Sequence, residues 1–201
     1  MRTLLFLIAA ACALAQVKHQ HHPPRSADEY AKVLEDPSRD AWQKPHEVIM
    51  ALKLKPTEVV ADIGSGSGYF ARRFAHHVAK VYAVDISEGL LAKTQGEKIE
   101  TVLATTDDPK LPAASVDTIF ICDVLHHIDN REAYYKKLAA ALKPGGRIVN
   151  IDFHKRDLPV GPPVSMKLSE DEVRKEFAAA GFQQSAQHTS LPHQYFLEFR
   201  K

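Results

Sequence analysis

Short apolar runs alternate with amphipathic segments along most of the chain, and this pattern predicts strands and helices in turn. Five apolar runs, several of them rich in β-branched residues, are predicted as strands: Val59–Ile63, Val81–Ile86, Glu100–Leu103, Asp117–Cys122 and Arg147–Phe153. Runs that are apolar on both faces are typical of parallel strands covered by helices. The alternation with helical segments therefore predicts an α/β fold with a mostly parallel sheet.

Helix signals occupy the intervening segments. The predicted helices are Ser26 to about Leu34, about Lys44 to Leu52, one carrying Phe70, Phe74 and Val78, one opened by Asp129–Glu132, and one from Ser169 to about Ala180. Ser26, Asp129 and Ser169 each precede an acid by three residues, which is the spacing of a capping box. The remaining 20 residues, Phe182 to Lys201, are predicted to form two strands paired as a hairpin.

Composition is ordinary for a single globular domain. The 201 residues are 45% hydrophobic and 25% charged, and the formal net charge is +1. Neither a basic field nor a recognisable nucleic-acid-binding motif is present, so a small molecule is favoured over nucleic acid as the binding partner.

The N-terminus has the pattern of a secretory signal peptide over residues 1–15. Arg2 precedes an apolar run from Leu4 to Ala15, which ends in Ala13-Leu14-Ala15. Because this run is shorter than the 20 or so residues that a span requires, no stable membrane span is predicted. The expected location is therefore exported, periplasmic or secreted, or cytoplasmic if the segment does not function as a signal. The alternative is an apolar helix that stays on the protein.

Residues 16–25 are predicted to be a flexible leader. Three histidines, His19, His21 and His22, lie in it, but no carboxylate or cysteine completes a metal site, so a solvated tail is favoured and no metal is predicted. Removal of residues 1–15 would leave Cys122 as the single cysteine, which excludes an intramolecular disulfide.

A glycine-rich turn follows the first predicted strand. Gly64, Gly66 and Gly68 alternate with Ser65 and Ser67, the two serines being candidate N-caps of the next helix. Glycines at alternate positions permit a sharp turn and close approach of a ligand to the backbone. A turn without a ligand is the alternative.

The spacing of this turn differs from that of a dinucleotide-binding turn. G-x-G-x-x-G would place its third glycine where this chain has Tyr69. The observed order is acid-x-G-x-G-x-G, with Asp62 as the acid. A nucleotide-dependent oxidoreductase is therefore disfavoured.

A second acid ends the next predicted strand. Asp85 lies 17 residues beyond Gly68, at the edge of the sheet where parallel neighbours end. A carboxylate there can accept hydrogen bonds from both hydroxyls of a ribose. The alternative is that Asp85 caps the following helix, a position for which Ser87 is better placed.

Four motif regions together resemble the class I S-adenosylmethionine-dependent methyltransferases. They are the glycine turn after Asp62, the strand-end acid Asp85, an acid-containing loop that ends in Leu111-Pro112, and Leu142-Lys143-Pro144-Gly145-Gly146. The resemblance implies a Rossmann-like, mostly parallel seven-stranded sheet with helices on both faces and a C-terminal antiparallel hairpin. The domain would span 26–201, with 26–54 as an N-terminal helical cover.

The resemblance also implies the cofactor S-adenosyl-L-methionine and a set of binding residues. These are Asp62, Gly64, Ser65, Gly66, Gly68, Asp85, Ile86, Asp107, Asp108 and Cys122. Asp85 would bind the ribose, Ile86 the adenine face and Asp107 the adenine amino group. The glycine turn would bind the amino-acid end, and the segment that begins at Cys122 would close over the methionine part. For Asp108 a plain polar turn is nearly as plausible.

Methyl transfer from a sulfonium is an in-line displacement that needs alignment and exclusion of water but no nucleophilic side chain. A hydroxyl or amine acceptor would benefit from a general base. The candidates are Asp123, His126, His127 and His154, each of which is alternatively a helix-start or surface residue. The sequence thus predicts a methyltransferase with an unidentified small-molecule acceptor. An exported, non-catalytic S-adenosylmethionine-binding protein is the alternative, and the oligomeric state stays open.

Overall fold

The computed structural model describes residues 26–201, which contain one mixed sheet of seven strands. The strands are β1 (Val59–Ile63), β2 (Lys80–Asp85), β3 (Ile99–Leu103), β4 (Val116–Cys122), β5 (Leu142–Phe153), β6 (Gln183–His188) and β7 (Gln194–Arg200). Their order is β3-β2-β1-β4-β5-β7-β6, and β7 is antiparallel to both of its neighbours. The predicted fold class, including the C-terminal antiparallel hairpin, is confirmed.

Helices cover both faces of this sheet. They are α1 (Ala27–Leu34), α2 (Asp40–Gln43), α3 (Pro45–Leu52), α4 (Tyr69–Phe74), α5 (Glu88–Leu91), α6 (Arg131–Ala141) and α7 (Glu170–Ala179). Apolar residues of α3, α4 and α5 pack against one face, and those of α6 and α7 pack against the other. Short 3-10 turns cover Pro37–Arg39, Leu125–His127 and Val164–Met166.

Aromatic side chains fill the centre of both layers. On the first face Phe120 of β4 lies 4.7 Å from the ring of Phe70 and 4.9 Å from that of Phe74, measured between centroids. On the second face Phe177 stacks on Phe199 at 4.2 Å and lies 4.5 Å from Tyr135. These buried rings fix α4 and α7 on opposite sides of the sheet.

Two of the predicted helix starts have the expected capping boxes. The hydroxyls of Ser26 and Ser169 accept from the N–H groups of Glu29 and Glu172. The carboxylate of each glutamate accepts in turn from the N–H of its serine. The α6 prediction is corrected by one residue, because Asn130 rather than Asp129 is the N-cap and its side chain accepts from the N–H of Ala133.

The start of α4 also differs from the prediction. Gly68, in the left-handed conformation, is the N-cap, and neither Ser65 nor Ser67 caps the helix. The Ser67 hydroxyl donates to Glu35 instead. Val78 is buried, as predicted, but it lies beyond the last helical residue, Phe74.

Two further boundaries differ from the sequence-based expectation. β5 begins at Leu142 rather than at Arg147, because Leu142 already pairs with Val116 of β4. The short helix α2 lies in a segment for which no helix was predicted. The predicted signal peptide and leader, 1–15 and 16–25, lie outside the described residues. Within 26–201 no helix has the length and apolar character that crossing a membrane requires.

The sheet order places a topological switch point between β1 and β4. The chain moves outward from β1 through β2 to β3 and then returns to the other side of β1. Crossover helices leave in opposite directions there, so a crevice opens at the carboxyl ends of the two strands. This crevice is where the fold positions a ligand.

The aromatic layer on the first face generates a stability prediction. We expect Phe120→Ala to lower the free energy of unfolding by about 3–5 kcal/mol, because a fully buried ring is removed from between two others. Urea denaturation of both proteins measures the difference. Met50→Ala, at an exposed position on α3, serves as the control and should change stability by less than about 0.5 kcal/mol. Equal effects at the two positions would contradict the assignment of Phe120 to the core.

Candidate functional site

The turn between β1 and α4 is built from glycines in the left-handed region. Gly64, Gly66 and Gly68 have φ values of +69°, +57° and +92°. The N–H groups of Gly64 and Ser65 both donate to the carbonyl oxygen of Val84 at the end of β2, at 2.8 and 3.0 Å. A Cβ on Gly64 would lie 2.2 Å from a methyl carbon of Val124. Both conformation and space therefore require glycine at position 64.

Asp85 fastens the glycine turn to the end of β2. Its Oδ2 accepts from the N–H of Gly66 at 2.8 Å, and its Oδ1 accepts from that of Ser87 at 2.9 Å. Ser87 caps α5, as expected. A carboxylate has about four acceptor sites, so each oxygen of Asp85 retains capacity for a further donor. Next to it the side chain of Ile86 is 60% exposed.

Asp62 is a buried acid directly below the turn. Burial, with a smaller contribution from the charge of Asp85, raises its pKa to about 7, while Ser65 and Arg39 act in the opposite direction. No group among residues 26–201 meets hydrogen-bond geometry with Asp62 Oδ2 or with the Ser65 hydroxyl, although both are buried. Unpaired buried polar atoms are costly, so this site is ready to receive a polar or cationic group.

The N-terminal helices cover the turn. Leu34 at the end of α1 lies over Gly66, where an added Cβ would be 2.7 Å from its Cδ1. Glu35 then accepts from the Ser67 hydroxyl and forms an ion pair with Arg72, both at 2.6 Å. The predicted helical cover is thus connected to the glycine turn through specific polar contacts.

Two polar residues of the cover reach into the crevice, and sequence reasoning did not identify either. Gln43 is fully buried and donates to Gln194 of β7 at 2.7 Å and to the sulfur of Cys122 at 3.3 Å. Arg39 bonds the side-chain oxygen of Gln43, and its guanidinium lies 3.8 Å from Asp123. Since Gln43 and Gln194 are 151 residues apart, no local signal could have indicated this contact.

The residues that end β4 are buried among carboxylates. Burial raises the pKa of the Cys122 thiol well above its usual value. Burial also raises the pKa of Asp123 to about 7, together with the charge of Asp152, while Arg39 opposes the shift. Asp123 lies at φ +60°, a strained conformation for a residue with a Cβ, and Gln194 donates a hydrogen bond to it.

Beyond Asp123 the structure brings together a histidine and an acid. Nδ1 of His126 lies 2.9 Å from both carboxylate oxygens of Asp152, the penultimate residue of β5, and both side chains are buried. The exposed His127 ring lies 4.2 Å from that of His126. The fourth candidate, His154, instead pairs with Glu170 of α7 at 3.0 Å. Asp152 was not a predicted site residue, although it ends a predicted strand as Asp85 does.

The loop after β3 places its two acids near Asp85 along the sheet edge. Ala104 donates to the carbonyl of Asp85, and the loop follows directly. Asp107 is exposed, and the Thr105 hydroxyl lowers its pKa. Asp108 is committed to the Lys110 N–H and to Lys137. Asp107 accepts from the Thr105 hydroxyl at 2.7 Å and lies 4.0 Å from Lys137, so both acids have partners and Asp107 is the more exposed. Within the part of the chain that the structure describes, no group of three His, Cys, Asp or Glu side chains is arranged to hold a metal ion.

Comparison with known proteins agrees with this geometry. Residues 61–150 match the family model described as a methyltransferase domain, and this range holds the glycine turn, Asp85 and the end of β4. Over this range the chain is similar to S-adenosylmethionine-dependent methyltransferases.

The similarity extends to individual members of this methyltransferase family. The chain is 28% identical over 152 residues to a probable S-adenosylmethionine-dependent methyltransferase of Mycobacterium tuberculosis, covering 70% of this chain and 55% of that protein. It is 33% identical over 121 residues to demethylmenaquinone methyltransferase of Corynebacterium glutamicum, covering 59% and 51%. The chain thus spans about half the length of these curated relatives. A solved methyltransferase of Aquifex aeolicus superposes with a TM-score of 0.81 at 24% identity, covering 88% of this chain and 98% of that one.

The buried acid below the glycine turn generates a prediction about stability and pH. Because the pKa of Asp62 in the folded protein is about 7, above its ordinary value of 3.8, folding favours the protonated form. Its contribution to stability is complete below about pH 4 and is lost as the pH rises through about 7.

We therefore expect wild type to lose stability relative to Asp62→Asn between about pH 4 and pH 7, with a constant difference at higher pH. Thermal melts of the two ligand-free proteins at each pH measure this difference in stability. A difference that grew in favour of wild type over this range would show that Asp62 is ionised and paired in the folded protein.

Proposed function

We propose that this chain is an S-adenosylmethionine-dependent methyltransferase that transfers a methyl group to a small-molecule acceptor. When bound, S-adenosyl-L-methionine supplies an activated methyl group on a sulfonium. The observation that carries the proposal is the glycine turn at the switch point, fastened to Asp85 and lying above the unpaired Asp62 oxygen. This arrangement has the chemistry to hold an adenosyl group at one end and an ammonium at the other.

The residues present fit the two ends of the cofactor. The spare acceptor capacity of Asp85 suits two ribose hydroxyls, and the exposed apolar face of Ile86 suits an adenine ring. Lys137 lies near both loop acids, and Asp107, as the more exposed of the two, is assigned to the adenine amino group. At the other end Asp62 and Ser65 are assigned to the amino-acid group, because their buried atoms lack partners within 26–201.

The remaining residues of the crevice define the methyl-transfer end. Cys122 lies at the end of β4 and is held by Gln43, so the cover closes this end of the site against water. Exclusion of water suits a reaction whose nucleophile must be the acceptor. The mixed charges at the end of β4 and the absence of a nucleic-acid-binding motif favour a small polar acceptor.

The role of Asp85 gives the first test. We expect Asp85→Asn to weaken binding of S-adenosylhomocysteine by about 10–100-fold, because charge-assisted bonds to the ribose are lost. Glu97→Gln makes the same chemical change at an exposed position remote from the turn and should leave the affinity unaltered. Isothermal titration calorimetry measures both. No measurable affinity of the wild type would reject the proposed function.

The role of Asp62 gives a second test. A ligand ammonium pairs with the ionised carboxylate, so affinity for S-adenosylhomocysteine should fall by about tenfold for each pH unit below 7. In Asp62→Asn the affinity should be lower and should not change over this range. A wild-type affinity that is independent of pH there would contradict the assignment of Asp62 to the ammonium.

Turnover separates an enzyme from a protein that only binds the cofactor. Purified protein with methyl-labelled S-adenosylmethionine and a small-molecule extract should transfer label to an acceptor in an Asp85-dependent manner. Label that stays in the cofactor, with binding intact, would favour the binding-only alternative.

A further inference from the structure

The His126–Asp152 pair has a fixed tautomer. Nδ1 of His126 faces both Asp152 oxygens at 2.9 Å, and Oδ1 of Asp152 also accepts from the N–H of Phe153 at 2.8 Å. A carboxylate accepts only, so Nδ1 carries the proton. In the neutral ring Nε2 then holds the lone pair.

This lone pair is available to a ligand. No group among the described residues forms a hydrogen bond with Nε2. The atom is also not completely closed off from solvent. The His126 side chain is 2% exposed, so bulk water has little access to it. A buried histidine that is held at one nitrogen and open at the other has the geometry of a general base.

The pair lies beside the cofactor site. His126 is two residues beyond Val124, the side chain that a Cβ on Gly64 would strike. It is three residues beyond Asp123, whose N–H donates to the carbonyl of Ile151 at the end of β5. The turn Leu125–His127 therefore places the imidazole at the carboxyl ends of β4 and β5, on the side of the crevice away from Asp85.

One cation lies among the carboxylates around this base and bears on which acceptor suits it. Lys167 is 2% exposed, and the one hydrogen bond that its ammonium makes within residues 26–201 is to the carbonyl of Arg156. It is near enough to oppose the rise in the pKa of His126. A buried ammonium with spare donors stabilises an oxygen that becomes negative and disfavours a cationic amine.

We propose that His126 is the general base of the methyltransferase, that Asp152 positions it, and that the acceptor group is a weakly acidic hydroxyl such as a phenol. The proposal rests on the proposed function. Carboxylates are already ionised at neutral pH and need no base, whereas a phenol with a pKa of about 10 does.

The step balances with the groups named. The acceptor hydroxyl gives its proton to Nε2 as its electron pair forms a bond to the methyl carbon. The carbon–sulfur bond breaks with its electron pair on sulfur. The products are a methyl ether, S-adenosylhomocysteine and an imidazolium at position 126, which later releases its proton to water.

Several titratable groups surround this base. Asp152 faces it from β5, Asp123 from the end of β4, Lys167 from the segment before α7, and His127 from its own turn. Tyr195 of β7 faces Asp152, and Arg39 of the cover faces Asp123. Burial lowers the pKa of His126, but Asp152 and then Asp123 outweigh that effect and raise it. Activity should therefore be lost on the acidic side, as the imidazole becomes protonated.

The experiment uses substituted phenols of graded acidity with labelled S-adenosylmethionine. We expect His126→Gln to slow methylation of a weakly acidic alkylphenol by about 100-fold or more. For a nitrophenol, which ionises unaided, the loss should be much smaller. His77→Gln, at an exposed histidine that precedes the amino end of β2, is the matched control and should behave as wild type.

The positioning role of Asp152 has its own readout. Asp152→Asn removes the main cause that raises the pKa of His126, so the acidic limb of kcat/KM should move to lower pH while kcat falls. Asp123→Asn tests whether the limb belongs to Asp123 instead. An acidic limb abolished by Asp123→Asn but retained in His126→Gln would overturn the proposal.

The remaining outcomes are also decisive. A wild type that binds S-adenosylhomocysteine but methylates no phenol would overturn the acceptor class, whereas a wild type that does not bind it would reject the proposed function itself. Equal losses on all phenols in a folded His126→Gln that binds the cofactor would indicate a structural role. Loss of cofactor binding in that variant would equally overturn the assignment.

Discussion

The hydrogen bond from the Gly66 N–H to Asp85 is the contact on which the site depends. It joins the turn after β1 to the end of β2, and the bonds from Gly64 and Ser65 to the Val84 carbonyl reinforce it. With these three bonds in place the glycine turn has one shape, and α4 leaves the sheet in one direction. The same carboxylate retains free acceptor sites. The Asp85 side chain thus both holds the glycine turn in place and can bind a ligand.

Stability and binding make opposite demands on the acids around this turn. Asp62 is buried and Asp123 is partly buried, and loss of solvation raises the pKa of each, so each costs folding free energy when ionised. Protein cores normally avoid such groups unless they are paired. Their position at the switch point of the sheet, where a cationic cofactor would offset the charge, gives a physical reason for retaining them. Arg39 partly performs this role by approaching Asp123 from the cover.

The N-terminal cover links the two ends of the crevice. Glu35 contacts the glycine turn through Ser67, and Gln43 contacts Cys122 and Gln194 at the far side. The last helix of the cover, α3, also buries Val48, Ile49 and Leu52 in the apolar layer on the first face of the sheet.

Much of the fold was determined by local sequence. Apolar runs fixed the strands, and Ser26 and Ser169 fixed two helix starts, because these effects act within a few residues. The glycine spacing and the acid at the end of β2 indicated the cofactor class, since parallel strands necessarily end at one edge. Sequence-based predictions were wrong where a tertiary contact competed with a local one. The Ser67 hydroxyl donates to Glu35 and does not cap α4, and Leu142 pairs with β4 where a turn was predicted.

The chemistry around His126 was decided only by the tertiary structure. Sequence reasoning placed four candidate bases at the mouth of the crevice without ranking them, because contacts with distant elements are not visible in the sequence. Folding pairs His126 with Asp152, 26 residues away, and pairs His154 with Glu170. It also brings Gln43 within 2.7 Å of Gln194 across 151 residues. The sequence alone determined which elements form and which class of cofactor they suit. Side-chain partners across the crevice followed only from the sheet order, because hydrogen bonds act over about 3 Å and carry no trace in sequence spacing.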